Sequence, residues 1–381
     1  MKTAIIGVGN MGHKYALMMY EGKIPGCELA AITRVRGVYK ERLGKAIQEG
    51  LPVYEGAEKL FEAVEDGSLK LDAVVIATPH YSHEPLAVRA FKNGLHVLCE
   101  KPSGVYTRQG RIMEEAAAIS GKTFGMIFHQ RTFPIYRKLR EIVQSGMYGE
   151  IKRINWTVSD WYRPNSYYAS GSWRATWAKD GGGVLLNQCP HNIDLLQWIT
   201  GMPVKIQAFC QEGRYHPIEV EDDVTAYLVY ENSATGTFIT STGEAAGVNR
   251  LEISLDDALI TCENGTLVIS ETMPELGMHE PEFRKTCTES FVKVKGTKKE
   301  MKFDAEEDPY GIILRNFTDA CASKAECIAP GSEGRKSLMI SNGAYLSSWK
   351  KQMIDLPAIN SPEERVFETE FEEMLAQKAK A

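Results

Sequence analysis

Several short stretches of this chain carry residue types and spacings that could do chemistry. The first is Gly7-Val8-Gly9-Asn10-Met11-Gly12, which follows an apolar run and opens an amphipathic one. Glycines at 7, 9 and 12 permit a tight turn and a close approach to the unpaired N–H groups that begin a helix, where a pyrophosphate is readily held. Asn10 and Met11 lie inside this loop and share its backbone contacts. Further along, Thr33-Arg34-Val35-Arg36 stands where an acid would accept from a ribose 2′-hydroxyl, and no carboxylate occurs between Glu28 and Glu41. The Thr33 hydroxyl and the donor forks of Arg34 and Arg36 suit a 2′-phosphate instead. This predicts NADP(H) as the favoured cofactor. NAD(H) is the alternative, with Arg34 and Arg36 as ordinary solvated loop charges.

Ala77-Thr78-Pro79-His80-Tyr81-Ser82-His83 ends another apolar run. Ligands of open α/β sheets sit at the carboxyl ends of strands, so Thr78, Pro79 and His83 are expected to border the cofactor. His83 reads equally as a capping or packing residue. Asp160-Trp161-Tyr162-Arg163 and Trp173-Arg174-Ala175-Thr176-Trp177 mix aromatic faces with hydrogen-bonding groups, a combination that suits a carbohydrate. Tyr162, Arg163, Trp173, Arg174 and Trp177 are therefore candidates to wall a substrate pocket. Arg163 or Arg174 could instead pair with a carboxylate on the ligand, and the aromatics could equally hold a domain interface. Cys189, His191 and Asp194 fit no common metal spacing, so no metal is expected.

The elements that must position these residues have two textures. Apolar runs at 3–6, 29–33, 73–77, 97–99 and 124–128 read as buried strands, and stretches at 12–20, 40–48, 84–93 and 107–120 read as helices between them. That alternation implies βαβ units and a parallel sheet. From about 151 to 303, apolar and polar residues alternate, as in Ile154, Trp156 and Val158 or Val224, Ala226, Leu228 and Tyr230. This describes a mostly antiparallel sheet with one buried face. Asn264-Gly265 between two such runs signals a hairpin. Helical patterns follow at about 309–323 and 333–353, then a charged stretch over 358–381 that is either a docked helix or a tail.

Composition sets limits on this reading. The chain has 381 residues, 43% hydrophobic and 25% charged, with a formal net charge of −6. It is long enough for two domains, and its sign argues against broad binding to nucleic acid or anionic lipid. No apolar run approaches the ~20 residues needed to span a bilayer, and no export signal follows Met1. The eight cysteines form no C-x-x-C pair, so reduced thiols and a cytoplasmic location are expected.

Taken together, the Gly7–Gly12 loop, Thr78-Pro79 with His83, Glu100-Lys101-Pro102, and Gly181-Gly182-Gly183 followed by His191 and Asp194 resemble the Gfo/Idh/MocA oxidoreductases. That family includes glucose–fructose oxidoreductases and inositol dehydrogenases, and the resemblance covers almost the whole chain. It implies an α/β plus α+β architecture, with a Rossmann fold over 1–125 and an open, mostly antiparallel sheet domain over 126–357. The late helices, 309–353, are allowed to pack back on the first domain. It also implies that Glu100 and Lys101 meet the cofactor and that Lys101 is catalytic and binds substrate beside the nicotinamide. Relatives commonly carry Asp four residues before the His; here that position is Asn187, whose amide cannot accept a proton as a general base. Proton transfer is then expected to rest on Lys101 and His191, with Asn187 as a positioning and substrate-binding residue. Pro190 is comfortable only in a first helical turn, so a helix is expected to begin near Cys189, with Asn187 on the preceding loop or cap. The implied reaction is hydride transfer between the nicotinamide and a hydroxyl or carbonyl of a sugar, cyclitol or sugar derivative. Redox-assisted glycoside cleavage with a recycled cofactor, or a non-catalytic nucleotide and sugar sensor, are the alternatives. A homodimer or homotetramer formed through the second domain's sheet is the implied assembly.

Overall fold

Strand runs without polar alternation must be covered on both faces, and the first part of the chain builds such a sheet. A computed structural model describes residues 1–380 except 36, 172, 173, 305 and 306. The chain divides into two units. The first comprises Met1–Thr132, Ala178–Gly181 and Glu307–Met339, and the second Phe133–Trp177, Gly182–Glu306 and Ile340–Ala381.

The first unit contains strands β1 (Lys2–Ile6), β2 (Glu28–Thr33), β3 (Val53–Tyr54), β4 (Ala73–Ile76), β5 (His96–Cys99) and β6 (Phe124–Met126), in the order β3-β2-β1-β4-β5-β6. All pairings are parallel. Helices α1 (Gly12–Tyr20), α2 (Gly37–Arg42), α3 (Gly44–Gln48), α4 (Ala57–Glu65), α5 (His83–Lys92) and α6 (Thr107–Ser120) connect them. The helix expected over 40–48 starts earlier and breaks at Leu43, and β3 and α4 have no counterpart in the sequence reading.

Successive residues of a strand point to opposite faces, and here they feed two separate cores. Ala4, Ile6, Val74, Ile76, Val97 and Cys99 pack with Leu60, Phe91 and Met113 from the helices of one face. Ile5, Ile32, Val75 and Leu98 pack with Tyr15 and Met19 of α1 on the other. Ile313, Leu314 and Phe317 complete that second core.

The second unit contains α7 (Pro134–Gln144), β7 (Ile151–Val158), α8 (Asn165–Ala169), α9 (Val184–Asn187), α10 (Pro190–Thr200), β8 (Lys205–Glu212), β9 (Glu221–Val229), β10 (Thr235–Ser241), β11 (Asn249–Leu255), β12 (Ala258–Glu263), β13 (Thr266–Glu271), α11 (Met273–Leu276), α12 (Glu280–Thr286) and β14 (Thr297–Lys302). Helices α13 (Pro309–Cys321) and α14 (Gly331–Lys350), strand β15 (Ile354–Asp355) and helix α15 (Pro362–Lys378) end the chain. α13 belongs to the first unit, and α14 gives its first half to the first unit and its second half to the other. The stretch over 358–381 thus contains a helix, with Ser361 capping it by accepting from the Glu364 N–H.

The second sheet has the order β14-β13-β12-β11-β7-β10-β9-β8-β15. It is antiparallel except where β10 runs parallel to β7, so the sheet is mixed and mostly antiparallel. Asn264 and Gly265 have φ of 49° and 72° and join β12 to β13 with Glu263 opposite Thr266, the two-residue turn that right-twisted strands prefer. Val224, Ala226 and Leu228 face the core while Tyr227 faces outward.

Candidate active site

The carboxyl ends of β1, β2, β4 and β5 bring the first group of residues together. Gly7 has a φ of +93°, and its N–H donates to Thr33 Oγ1 at 2.9 Å. Thr33 is 5% exposed. It therefore ties the glycine loop to β2 by accepting from Gly7, a tie the sequence reading did not foresee. At Gly12 a Cβ would come within 1.9 Å of the Gly7 carbonyl, whereas at Gly9 it would meet nothing within 4 Å. The loop is thus packed tightly below and open above Gly9, a cradle that only a residue without Cβ leaves vacant. α1 begins at Gly12 after Met11, with no side chain capping its first N–H groups, and Asn10 is exposed beside it. A dinucleotide pyrophosphate fits this arrangement.

Arg34 is exposed and pairs with Glu55 at 3.5 Å. The stretch that lacks a carboxylate in sequence thus acquires one from the loop after β3. Arg36 lies outside the described residues. His13, one residue into α1, faces the Gly9 carbonyl through Nδ1 at 2.9 Å and Arg42 Nη1 through Nε2 at 2.9 Å.

At the end of β4, Ser82 donates to Thr78 Oγ1 at 2.7 Å, and Pro79 is exposed. His83 is fully buried: Nδ1 lies 2.8 Å from the Pro102 carbonyl oxygen and Nε2 2.8 Å from that of Thr78. Both ring nitrogens face backbone carbonyls, of which the neutral ring donates to one, so it packs between the loops after β4 and β5. Burial pushes this imidazole down to about 4, with His80 acting in the same direction. His80 in turn faces the Asp180 carbonyl at 2.9 Å and its carboxylate at 3.2 Å.

Glu100, at the end of β5, is buried and accepts from the Tyr15 hydroxyl and from the Lys101 N–H, the latter at 3.1 Å. Burial raises its carboxyl above the usual range, against the pull of Lys101. This buried acid holds the backbone from which Lys101 projects. Around it stand groups the sequence reading did not single out. His129 stacks on Tyr310 with ring centroids 4.2 Å apart, and Lys14 Nζ lies 4.1 Å from the Tyr310 centroid and 3.0 Å from Asp308. Burial, then the nearby Lys101 and Lys14, drives His129 down to about 3. Tyr15 lies one turn into the helix that the glycine loop opens, a position that could have been marked in sequence. Only the tertiary fold joins His129 to Tyr310.

In the second unit, Pro190 is the first residue of α10 and Cys189 its N-cap, as the ring's fixed φ favours. Asn187 is the last residue of the short α9, two residues before Cys189, so it sits in a helical turn where a loop or cap position was expected. Its Oδ1 accepts from the Tyr167 hydroxyl at 3.2 Å. His191, 6% exposed, lies in the first turn of α10, and Asp194 is fully buried and accepts from Gln197 at 3.2 Å. The Gly183 and Leu185 N–H groups donate to Glu221 at 2.9 Å each, and Tyr345 donates to the same carboxyl at 2.7 Å. Burial raises Glu221 to about 7.

Arg163 and Arg174 gather around Tyr167, while Tyr162 is exposed. Trp177 is 2% exposed and packs edge-on against Tyr345 and Trp349, so it is a core aromatic and not a pocket wall. Trp173 lies outside the described residues. Among the described residues, no group of three or more His, Cys, Asp or Glu side chains is placed to hold a metal ion. No helix among them is long and apolar enough to cross a membrane.

The strand order and the glycine loop define a dinucleotide-binding protein of the Rossmann type. The family model for an oxidoreductase family with an NAD-binding Rossmann fold matches residues 1–128, and the model for the GFO/IDH/MocA C-terminal domain matches 136–267. The chain belongs to the Gfo/Idh/MocA oxidoreductases. Its relatives include the rhizopine catabolism protein MocA of Rhizobium meliloti, 28% identical over 52% of this chain and 57% of that protein. Levoglucosan dehydrogenase of Pseudarthrobacter phenanthrenivorans is 26% identical over 47% and 51%, and inositol 2-dehydrogenase 4 of Saccharopolyspora erythraea 31% identical over 39% and 42%. The matched stretch thus spans about half the length of these curated relatives. Among solved structures, the WlbA dehydrogenase from Bordetella pertussis in complex with NADH and UDP-GlcNAcA has a TM-score of 0.74 at 22% identity, covering 94% of this chain and 99% of that one. Levoglucosan dehydrogenase in complex with NADH and levoglucosan gives 0.74 at 19%, covering 94% and 100%. At these identities the likeness speaks for the fold.

Proposed function

We propose that this protein is an NAD(P)-dependent oxidoreductase acting on a CH–OH group, or its carbonyl counterpart, of a sugar, cyclitol or sugar derivative. The observation that carries this reading is a juxtaposition along one sheet edge. The glycine loop after β1, Thr78 after β4 and Glu100-Lys101 after β5 stand on neighbouring strands of a parallel sheet. When bound, the nicotinamide accepts or supplies the hydride. Lys101, its backbone fixed by Glu100, hydrogen-bonds the reacting oxygen and stabilises the negative charge that develops there. His191 takes or returns the proton, and Asn187, held by Tyr167, orients the substrate. These roles for Lys101, His191 and Asn187 come from the family resemblance.

NADP(H) is the favoured cofactor in this reading, with Arg34 offered to the 2′-phosphate. Its present partner, Glu55, is solvent-exposed, and such a pair is easily displaced. All eight cysteines are free thiols, in keeping with a reducing, cytoplasmic setting. We further propose a homodimer or homotetramer through the outer face of the second sheet, where Phe209, Tyr227 and Leu259 are exposed; a monomer by light scattering overturns that part.

The test is to incubate the purified protein with NADP⁺ or NAD⁺ and a panel of sugars, inositols and glycosides, following reduced cofactor and released free sugar. Net cofactor reduction on at least one polyol is expected. Free sugar released with no net cofactor change would replace this reading with redox-assisted cleavage. Failure to bind either cofactor by calorimetry would overturn it altogether.

A further inference from the structure

Around Tyr167 the second unit concentrates positive charge on a rigid platform. The guanidinium carbons of Arg163 and Arg174 lie 5.0 and 4.5 Å from the centroid of the Tyr167 ring, and that of Arg163 also lies 5.6 Å from Trp161. Arg174 Nη1 and Gln188 Nε2 both donate to the Tyr167 hydroxyl, at 2.8 and 3.3 Å, and that hydroxyl donates to Asn187. Arg174 is therefore linked by hydrogen bonds to the candidate substrate-orienting residue, while Arg163 meets the same tyrosine through its ring face and donates to the Tyr162 carbonyl at 2.9 Å. Asn187 is an amide and brings no compensating negative charge.

Of the nearby acids, Asp160 feels the charge of Arg163 without forming an ion pair with it, and Asp222 and Asp223 are held by other groups. Asp160 accepts from Asn249. Asp222 accepts from the backbone N–H groups of Arg214, Tyr215 and His216, and lies 2.8 Å from His216 Nδ1. Asp223 pairs with Arg214. Among the described residues no carboxylate forms an ion pair with Arg163, and its Nε is buried without an acceptor. Fully buried Asn192, which accepts from Trp161 Nε1 at 3.3 Å, likewise has its Nδ2 without an acceptor. The backbone at Arg163 is fixed on both sides: its N–H donates to the Thr242 carbonyl at 2.9 Å, and its own carbonyl lies 2.7 Å from His216 Nε2. Buried N–H groups without acceptors are costly unless a ligand supplies one, and a guanidinium fork matches a carboxylate or phosphate in geometry and charge.

We infer that the substrate is an anionic sugar, and that Arg163, with Arg174 beside it on Tyr167, holds its carboxylate or phosphate. The inference takes the sugar class from the function proposed above, but it concerns recognition and does not depend on hydride transfer.

The experiment measures binding by calorimetry to the protein saturated with reduced cofactor. The probes are hexuronates, hexose 6-phosphates and the parent hexoses of the gluco, galacto and manno series. At least one anionic sugar is expected to bind roughly tenfold or more tightly than its parent hexose. Which of the two anion types wins identifies the group. Arg163→Met should collapse that ratio towards one, Arg163→Lys should retain part of it, and Asn187→Asp should lower it. Equal affinity for anions and parent hexoses overturns the inference, as does a wild-type ratio that survives in Arg163→Met, or absence of binding by all probes. Turnover recorded in parallel separates the two proposals. Neutral sugars reducing cofactor while anions bind no more tightly sinks this inference and keeps the oxidoreductase. Arg163-dependent anion binding without hydride transfer on any sugar does the reverse.

Discussion

The glycine-loop edge of the first unit and the Tyr167 region of the second offer their ligands different kinds of surface. In the first, recognition rests on backbone: the start of α1, the gap above Gly9, and strand ends whose positions the buried β1, β4 and β5 impose. In the second, it rests on side chains from loops and short helices, held by contacts between residues far apart in sequence, such as His216 with Arg163 and Tyr167 with Asn187. Exchanging an exposed side chain leaves the first surface nearly intact and remakes the second. Under the function proposed above, such a division would let substitutions change the substrate while the cofactor is kept.

The largest expected effect lies where the cofactor edge does chemistry. Lys101→Met should lower kcat by roughly 10²–10⁴-fold while cofactor affinity, measured by fluorescence titration, holds. Near-normal turnover would remove Lys101 from the reaction and leave the first unit as a binding platform only.

Two glycines sharpen the claim that this edge is backbone-made. Gly12→Ala drives a Cβ into the Gly7 carbonyl and should cost about 1–3 kcal/mol of stability without any ligand present. Gly9→Ala meets open space and should leave the melting temperature of the free protein unchanged while weakening cofactor binding. Equal effects on stability would mean that the gap above Gly9 is filled by the protein itself.

The two units should also answer pH in opposite senses. His83 stays neutral in the fold down to about 4, whereas an unfolded chain protonates it near 6.5. The unfolded state then binds more protons between those values, so this residue's contribution falls as pH drops from about 6.5 to 4, by about 3 kcal/mol in all. His129 acts in the same direction. Glu221 is held protonated up to about 7, so the folded second unit binds the extra proton and gains stability as pH falls from about 7 towards 4.5. Hydrogen exchange from pH 7.5 to 5 should show protection falling in the first unit, where the two histidines outweigh the opposing pull of the raised Glu100, and rising in the second. His83→Gln and Glu221→Gln should each flatten their own unit's response, and parallel slopes in both units would contradict the assignment.

The smallest effect is at the rim. Arg34→Ala should weaken NADPH binding roughly tenfold and leave NADH untouched. Tighter binding of NADH than NADPH by the parent protein would discard the NADP(H) preference.

Legibility in the sequence followed the same division. Thr3–Ile6 and the glycine loop after it could be read because a buried parallel strand is continuously apolar and a phosphate turn needs glycine at fixed steps. The Asn264-Gly265 hairpin was equally local. β3, only two residues long, shows no periodicity, and the break at Leu43 is marked only by Gly44, a single glycine that a helical pattern tolerates. The parallel pairing of β10 with β7 was invisible, since alternation looks the same in either direction. Among candidate site residues, Thr33 and His83 were found by position, His83 with packing as one of its two readings, but their partners, Gly7 and the Thr78 and Pro102 carbonyls, are backbone groups that no residue type announces. Trp177 has the composition of a binding residue, and only the distant Tyr345 and Trp349 make it core.

The splitting of β1 between two cores has a consequence for accuracy. A slip of β1 by one residue would send Ile5 into the space shaped for Ala4 or Ile6 and the reverse, spoiling both cores at once. The same slip would shift the glycine loop by about 3.3 Å along the strand. Two independent volume checks therefore police a single coordinate, the height of Gly7 above the sheet. The tolerance of the cofactor cradle is set by aliphatic packing beneath it, well away from any atom the cofactor would touch.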